Sequence, residues 1–150
     1  MEFSVYIAGN FLNHYDGMRK KIGEFERNGF VVLSPQTAVV TSSVDPAVIK
    51  CRYDQRLARL IRNEGAMEMD RAIRKSDALF VYNPDRSIDP VVSLQLGLAL
   101  GYKKPIFSEC AIPEEGIGQY CTVIRSDQPY KVKAGILRNN IKQRVLTAFG

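Results

Sequence analysis

The sequence predicts an α/β fold, a parallel sheet with helices on both faces. Short runs of β-branched and aromatic residues alternate along the chain with longer segments of helical periodicity. The short runs are almost wholly apolar, as in strands that are buried on both sides. A chain of 150 residues, 45% hydrophobic and 25% charged, supplies one core. We therefore expect a single domain over residues 1–150.

The first third of the chain predicts two strands and the helix between them. Phe3 to Ala8 is a strand that ends at Gly9-Asn10. Tyr15 to Arg27 has apolar residues spaced by four and three, which predicts a helix, and Asn28-Gly29 ends it. Phe30 to Leu33 is the second strand.

The middle of the chain predicts a long helical segment and a third strand. Asp45-Pro46 is a helix start signal, and the helical pattern continues to about Ser76 with a break near Gly65. Ala78 to Asn83 is the third strand. Basic residues recur at helical spacing in the long segment, as a solvated helix face or a phosphate-binding stripe: Lys50, Arg52, Arg56, Arg59 and Arg62.

The last third of the chain adds two helices and two strands. Asp89-Pro90 begins a helix that reaches Tyr102. Ile106 to Ser108 is the fourth strand and Cys121 to Ile124 the fifth, and Tyr130 to Phe149 is a final amphipathic helix. The alternation predicts ligand binding at the carboxyl ends of the parallel strands.

The charge distribution excludes a broad nucleic-acid surface. The formal charge is +5, and the last twenty residues carry all of this excess because they hold five basic residues and no acidic one. No apolar run approaches the roughly 20 residues of a membrane-spanning helix. The N-terminal run carries an acid at position 2 and does not resemble a secretory signal. We expect a cytoplasmic protein with no nucleic-acid partner and no membrane association.

Cysteine and histidine content limits the chemistry. The three cysteines, Cys51, Cys110 and Cys121, are widely spaced, and His14 is the single histidine. Neither a disulfide framework nor a zinc site is expected. A catalytic triad would have to use His14, which has no nucleophile motif beside it. We therefore expect no metal and no cofactor, and chemistry based on carboxylates, amides or hydroxyls.

Three strand-end features converge in the predicted sheet. They are the loop Gly9-Asn10-Phe11, the loop from Asn83 to Asp89, and the N-terminus of the helix that Asp89 begins. A helix N-terminus beside a glycine loop can bind an anion through backbone N–H groups, although Gly9 also suits a simple tight turn. The loop has neither a dinucleotide fingerprint nor a Walker sequence.

Gln95 is the unusual residue of the helix after Asp89. Nearly every residue from Val91 to Tyr102 is apolar or glycine, so we expect burial on most sides of this helix. A buried amide without a partner costs about 1–3 kcal/mol. Gln95 therefore needs a hydrogen-bond partner, either in a binding site or in a neighbouring loop, and Asp89 is either a site residue or a helix cap.

The segments VYIAGNF, SDALFVYNPD and DPVVSLQLGLALGYKKPI together resemble the nucleoside 2-deoxyribosyltransferase family, which includes the related deoxynucleoside-monophosphate N-glycosidases. The resemblance covers about residues 3–108. It implies a flavodoxin-like fold of about five strands, a pocket of nucleoside size that includes Gly9, Asn10 and Phe11, and a homodimer or homotetramer.

The resemblance also implies roles for single residues. Gln95 stands where the family has its nucleophilic glutamate, and a neutral amide is a poor nucleophile. Asp89 would bind a sugar hydroxyl or help to protonate the leaving base, and Tyr6 would orient residue 95. The family has another acidic residue at the position that corresponds to Met69. Because Met69 is not acidic, Asp70, the next residue, is the candidate for this role.

Three hypotheses about function follow. The first is an enzyme of the N-glycosidic bond, transferase or hydrolase, that works through Asp89-assisted water attack or carries Gln95 as a shape-preserving replacement. The second is a non-catalytic module that binds or senses a nucleoside or nucleotide. The third is a protein that shares only the architecture, since fold does not determine function.

Overall fold

The computed structural model describes residues 2–10, 14–34, 63–112, 118–124 and 129–149. Within these ranges the strands are β1 (Phe3–Gly9), β2 (Phe30–Ser34), β3 (Ala78–Tyr82), β4 (Ile106–Ser108) and β5 (Cys121–Val123). The helices are α1 (Tyr15–Arg27), α2 (Asn63–Lys75), α3 (Pro90–Gly101) and α4 (Pro129–Phe149), and a 3₁₀ turn, Gly118–Tyr120, precedes β5.

The five strands form one parallel sheet in the order β2-β1-β3-β4-β5. This is the flavodoxin-like order, with β1 and β3 at the centre. The last residue of β1, Gly9, pairs with the last residue of β3, Tyr82, so the two strands end side by side. The α/β class and the parallel sheet of five strands are confirmed.

Each face of the sheet carries two of the described helices and its own apolar cluster. On one face α1 and α4 cover Val5, Ile7 and Phe80. On the other, α2 and α3 cover Leu79 and Val81. The alternation of side chains along β1 and β3 divides the core in this way, because successive residues point to opposite faces.

The sequence predicts most element boundaries within one residue. The helix predicted at Tyr15 to Arg27 has these bounds, and Gly29 follows it with φ +81°, which glycine adopts at no steric cost. β4 has the predicted bounds, and Asp89 caps α3 as its sequence predicts.

One expectation about the helices is wrong. α2 begins at Asn63 in the described chain and runs through Gly65 without the predicted break. α3 is buried on most sides, as expected, and its outer side is open, with Leu94 55% exposed and Gly97 exposed. The predicted helix start at Asp45 and the basic stripe from Lys50 to Arg62 lie outside the described residues.

No helix in the described ranges is long and apolar enough to cross a bilayer. In the same ranges, His, Cys, Asp and Glu side chains form no group of three that could hold a metal ion.

Candidate functional site

The candidate site lies where the chain reverses its direction of winding across the sheet. From β1 the chain passes through α1 to β2, and from β3 it passes through α3 to β4 on the opposite face. Because the two connections leave to opposite sides, a crevice opens beyond the ends of β1 and β3. Ligands of open α/β sheets bind at such a point.

A cleft that is open to solvent occupies this position. It lies at the strand ends where small-molecule ligands bind in open α/β sheets. Its lining comprises ten residues: Gly9, Asn10, His14, Val81, Tyr82, Asp85, Ser87, Ile88, Asp89 and Val92.

Gly9 ends β1 where the backbone of β3 comes too close for a side chain. A Cβ atom at this position would lie 2.8 Å from the carbonyl oxygen of Tyr82 and 3.3 Å from the sulfur of Met18. The glycine therefore permits the close approach of the two strand ends. Asn10 follows it on the lining of the cleft.

Asp89 is both a helix cap and a cleft residue. Its Oδ1 accepts a hydrogen bond of 2.8 Å from the backbone N–H of Val92, and Pro90 occupies the first helical position. This bond satisfies one of the free N–H groups at the start of α3. With Oδ1 engaged in the cap, Oδ2 is the oxygen that can meet a ligand.

The loop that carries Asp89 is anchored at its start by Asn83. This buried amide donates to the carbonyl oxygen of Cys110 at 3.0 Å and accepts from the N–H of Cys110 at 2.9 Å. The two bonds imitate one step of strand pairing and join the end of β3 to the chain that follows β4. The position of the loop is thereby set by the sheet.

Gln95 and Tyr6 form a buried pair beneath the cleft. Gln95 Nε2 donates to the Tyr6 hydroxyl at 2.7 Å, and Gln95 is only 7% exposed. Gln95 Oε1 has no hydrogen-bond partner among the described residues. Neither residue is part of the cleft lining, which reaches α3 only as far as Val92. The amide nitrogen therefore has a partner in Tyr6, whereas the buried amide oxygen has none among the described residues.

Asp70 lies on α2 and takes part in contacts with its neighbours. The Tyr102 hydroxyl donates to Asp70 Oδ1, and Arg74 lies 3.9 Å from Oδ2. The hydrogen bond to Asp70 raises the pKa of Tyr102, because ionisation of the phenol would break it. The structure does not place Asp70 on the cleft lining. Phe11, the remaining predicted pocket residue, lies outside the described residues.

The structure brings a further pair, His14 and Asp85, to the cleft. His14 Nε2 lies 3.2 Å from Asp85 Oδ2, and the His14 ring contacts Tyr82 edge-on. Hydrogen bonds from Ser87, with a smaller effect of His14, hold the pKa of Asp85 below its ordinary value. The spacing Asp85-x-Ser87 is typical of an Asx turn, but no local pattern predicts the contact with His14.

A buried cation lies behind Tyr82, on the α1 side of the sheet. Lys21 Nζ is 3.1 Å from Glu24 Oε2 and 3.1 Å from Glu109 Oε2, and it lies 6.0 Å from the centre of the Tyr82 ring. Burial, followed by the negative charges of Glu109 and Glu24, raises the pKa of Tyr82. The phenol at the cleft is therefore held in its neutral form.

Scans of the whole chain against protein-family models and against curated proteins find no match. Among solved structures, the fold is similar to that of the CMP N-glycosidase BcmB from Clostridium botulinum. The TM-score is 0.46 at 17% sequence identity, and the similarity covers 81% of this chain and 86% of that one.

Proposed function

We propose that this chain is a cytoplasmic enzyme that binds a nucleoside or nucleotide in the cleft between β1 and β3 and acts on its N-glycosidic bond. The observation that carries the proposal is the position of Asp89, a carboxylate at the start of α3 on the lining of the cleft at the ends of β1 and β3. The sequence motifs that resemble the deoxyribosyltransferases support the choice of substrate class.

The proposed reaction is hydrolysis in which Asp89 acts as a general base. Its Oδ2 takes a proton from a water molecule, and the water oxygen bonds to C1′ of the sugar. The bond between C1′ and the base nitrogen breaks, and its electron pair leaves with the base, which then takes up a proton. General-base catalysis of this kind contributes about 10²–10⁴-fold to a rate.

His14 is the cleft residue suited to return the proton to the base. An imidazolium N–H can donate to a ring nitrogen of the base, and the pairing of His14 with Asp85 orients the ring. Gln95 has no covalent role in this scheme, because a neutral amide is a poor nucleophile and this one is buried against Tyr6.

A second candidate function, binding without catalysis, is favoured by the burial of Gln95. The amide stands at the position of the family's nucleophile and is 7% exposed, outside the cleft lining. A module that binds or senses a nucleotide needs the cleft but no nucleophile. Under this alternative the ligand leaves the protein unchanged.

Base release from deoxynucleosides, ribonucleosides and their monophosphates, followed by chromatography with and without a second free base, tests the proposal. The wild-type chain should release base from at least one of these substrates. Asp89→Asn, which keeps an N-cap oxygen but removes the carboxylate, should lower the rate at least about 100-fold. Asp89→Ala should lose both the rate and about 1 kcal/mol of helix-cap stability.

The same assay separates the two candidates. A wild-type chain that releases no base but is stabilised against heat by a nucleotide would support the binding module, because a ligand stabilises the state that it binds. Turnover only in Gln95→Glu would show a site that has lost its nucleophile. Absence of both turnover and thermal stabilisation would remove nucleosides and nucleotides from consideration.

We also propose that the chain forms a homodimer through the outer side of α3. This helix has no charged side chain from Pro90 to Gly101, so two copies can meet without like-charge repulsion. Leu94 is 55% exposed, and a Cβ atom at Gly97 or Gly101 would meet nothing within 4 Å. Sedimentation should give about twice 16.9 kDa for the wild type. The variant Leu94→Lys should be monomeric, and a wild-type monomer would refute the dimer.

A further inference from the structure

α4 is a helix with two apolar sides. Its inner side packs on the sheet through Val132 and Ile136, which are fully buried. Its outer side carries large apolar residues that are between 45% and 62% exposed: Tyr130, Leu137, Ile141 and Val145. A solvent-facing helix side is ordinarily polar. The outer side of α4 therefore has the composition of a contact surface.

The outer apolar residues follow the spacing of a helix-pairing seam. Tyr130, Ala134, Leu137 and Ile141 are separated by four, three and four residues. The next position of the series, three residues after Ile141, is Arg144, and Ala148 follows it by four residues. This alternation of three and four places a narrow stripe along one line of the helix, into which a second helix can pack its side chains. We call the apolar members of this set, with Val145, the outer seam of α4.

The charges beside the outer seam all have one sign. At 100° per residue, Arg138, Lys142 and Lys131 fall on one flank of the seam, and Arg144 lies at its other edge, about 20° from Leu137. Lys133 is turned toward the sheet, with its Nζ 5.3 Å from the centre of the Phe30 ring. No acidic residue occurs from Pro129 to Phe149. Pairing of this seam with the same seam of a second copy would bring these cations together. The charge pattern therefore requires a partner surface of negative charge.

We propose that the outer seam of α4 is the docking surface for an acidic amphipathic helix of a partner protein. The seam is narrow and contains alanines at 134 and 148, which allow the backbone of a partner helix to approach closely. A helix that lies on an anionic bilayer instead presents a broad apolar face with large side chains. The flanking cations pair with acidic residues beside the apolar line of the partner, as in heterotypic coiled coils.

A pair of designed peptides tests this proposal. The first peptide has about three heptads with Leu at the core positions and Glu at the flanking positions, and the second has Lys in place of every Glu. Fluorescence anisotropy with labelled peptides should show saturable binding of the Glu peptide and at least tenfold weaker binding of the Lys peptide. Raising the salt concentration should weaken the binding.

Variants of the protein locate the binding surface. The double variant Leu137→Ser/Ile141→Ser should weaken binding of the Glu peptide at least tenfold, whereas Tyr120→Ser, an equally exposed residue outside α4, should leave it unchanged. Thermal unfolding of each variant confirms that the domain is folded. Equal binding of the two peptides, no binding of the Glu peptide, or an effect of Tyr120→Ser as large as that of the double variant would overturn the proposal.

Two further outcomes would assign the surface to another occupant. Cosedimentation with vesicles of phosphatidylserine and phosphatidylcholine that is lost in Leu137→Ser/Ile141→Ser would overturn the proposal in favour of a membrane. Self-association that is lost in the same variant would overturn it in favour of a second copy of the chain.

Discussion

Two glycines of α1 differ in what surrounds them, although both lie inside the helix. A Cβ atom at Gly17 would overlap the Tyr82 hydroxyl oxygen, whereas one at Gly23 would lie 3.1 Å from the flexible end of Arg27. We expect Gly17→Ala to lower the free energy of unfolding by about 1–3 kcal/mol, because the Tyr82 ring must move. Gly23→Ala should raise it by up to about 1 kcal/mol, because alanine favours the helix.

Urea unfolding of the two glycine variants checks this prediction. Gly23→Ala is the control for the general gain from alanine in α1. If Gly17→Ala stabilises the protein as much as Gly23→Ala does, the Tyr82 ring moves aside without a loss of free energy, and the prediction is contradicted.

Cys121 should be slow to react because its thiol holds its proton. Burial raises the pKa of Cys121 to about 11, against about 8.5 for an unfolded cysteine. At pH 8 we expect alkylation by iodoacetamide to be at least about tenfold slower in the native protein than in urea, even after allowing for the greater nucleophilicity of a high-pKa thiolate. Mass spectrometry of the peptide that contains Cys121 measures both rates, and equal rates would contradict the expectation.

The raised pKa of Cys121 also determines the direction in which the free energy of unfolding changes with pH. Between about pH 8.5 and 11 the unfolded thiol loses its proton while the native thiol keeps it. The free energy of unfolding should therefore fall as the pH rises through this range, and the contribution is fully present below pH 8.

The roles of single residues could be predicted from sequence where those roles depend on residues nearby in the chain. An amide within an apolar helix must find a partner, and Gln95 has one in Tyr6. The cap role of Asp89 follows from the residue type and the proline after it. The contact of His14 with Asp85 joins two loops 71 residues apart, and loops have no periodicity from which such a contact can be inferred.

At the scale of elements, the ion cluster of Lys21 joins α1 to the chain after β4. The Lys21 side chain is 4% exposed, and its carboxylate partners Glu24 and Glu109 are 23% and 16% exposed. We expect Lys21→Met to lower the free energy of unfolding by about 2–3 kcal/mol, because two carboxylates are left facing each other. The loss lies below the range for fully buried pairs because both carboxylates retain contact with water.

Urea unfolding at pH 7 measures this loss. Lys20→Met, at the exposed neighbouring position, is the control and should change stability by less than about 0.5 kcal/mol. A loss for Lys21→Met no larger than that of the control would show that the cluster does not stabilise the fold.

The elements themselves were well predicted because their signals are local. Apolar spacing and caps set the bounds of α1 and the start of α3. Which side of α3 is open, with Leu94 exposed, could not be predicted, because a hydrophobic composition does not show which part of the chain covers each face. The same limit explains why the outer seam of α4 is apparent only once its inner side is seen against the sheet.

At the scale of the whole molecule, burial predicts a gradient of local stability across the sheet. β1 and β3 are central and covered on both faces, whereas β5 is an edge strand with Thr122 and Val123 exposed. Hydrogen exchange should be slowest for the amides of β1 and β3 and fastest, among the strands, for those of β5. Mass spectrometry of peptides from a native exchange series checks the order, and equal protection of β5 and β3 would contradict it.

The strand order was predictable only through the family resemblance. Alternation of strands and helices predicts a parallel sheet with two covered faces, and the structure has both. The order of the strands depends on where each connecting helix packs on the sheet. Local periodicity in the sequence carries no information about that packing. The cleft follows from the order, because it opens where β1 and β3 become neighbours.

Because β1 pairs with β3, one edge of β1 stays unpaired during synthesis until β3 has been made. β1 pairs with β3 from Val5 opposite Ala78 to Gly9 opposite Tyr82, so one edge of β1 has no partner until the ribosome has added about 70 further residues. At 5–20 residues per second this takes about 4–15 seconds. During that interval the nascent chain exposes an apolar strand edge, the kind of surface that chaperones bind and that promotes aggregation.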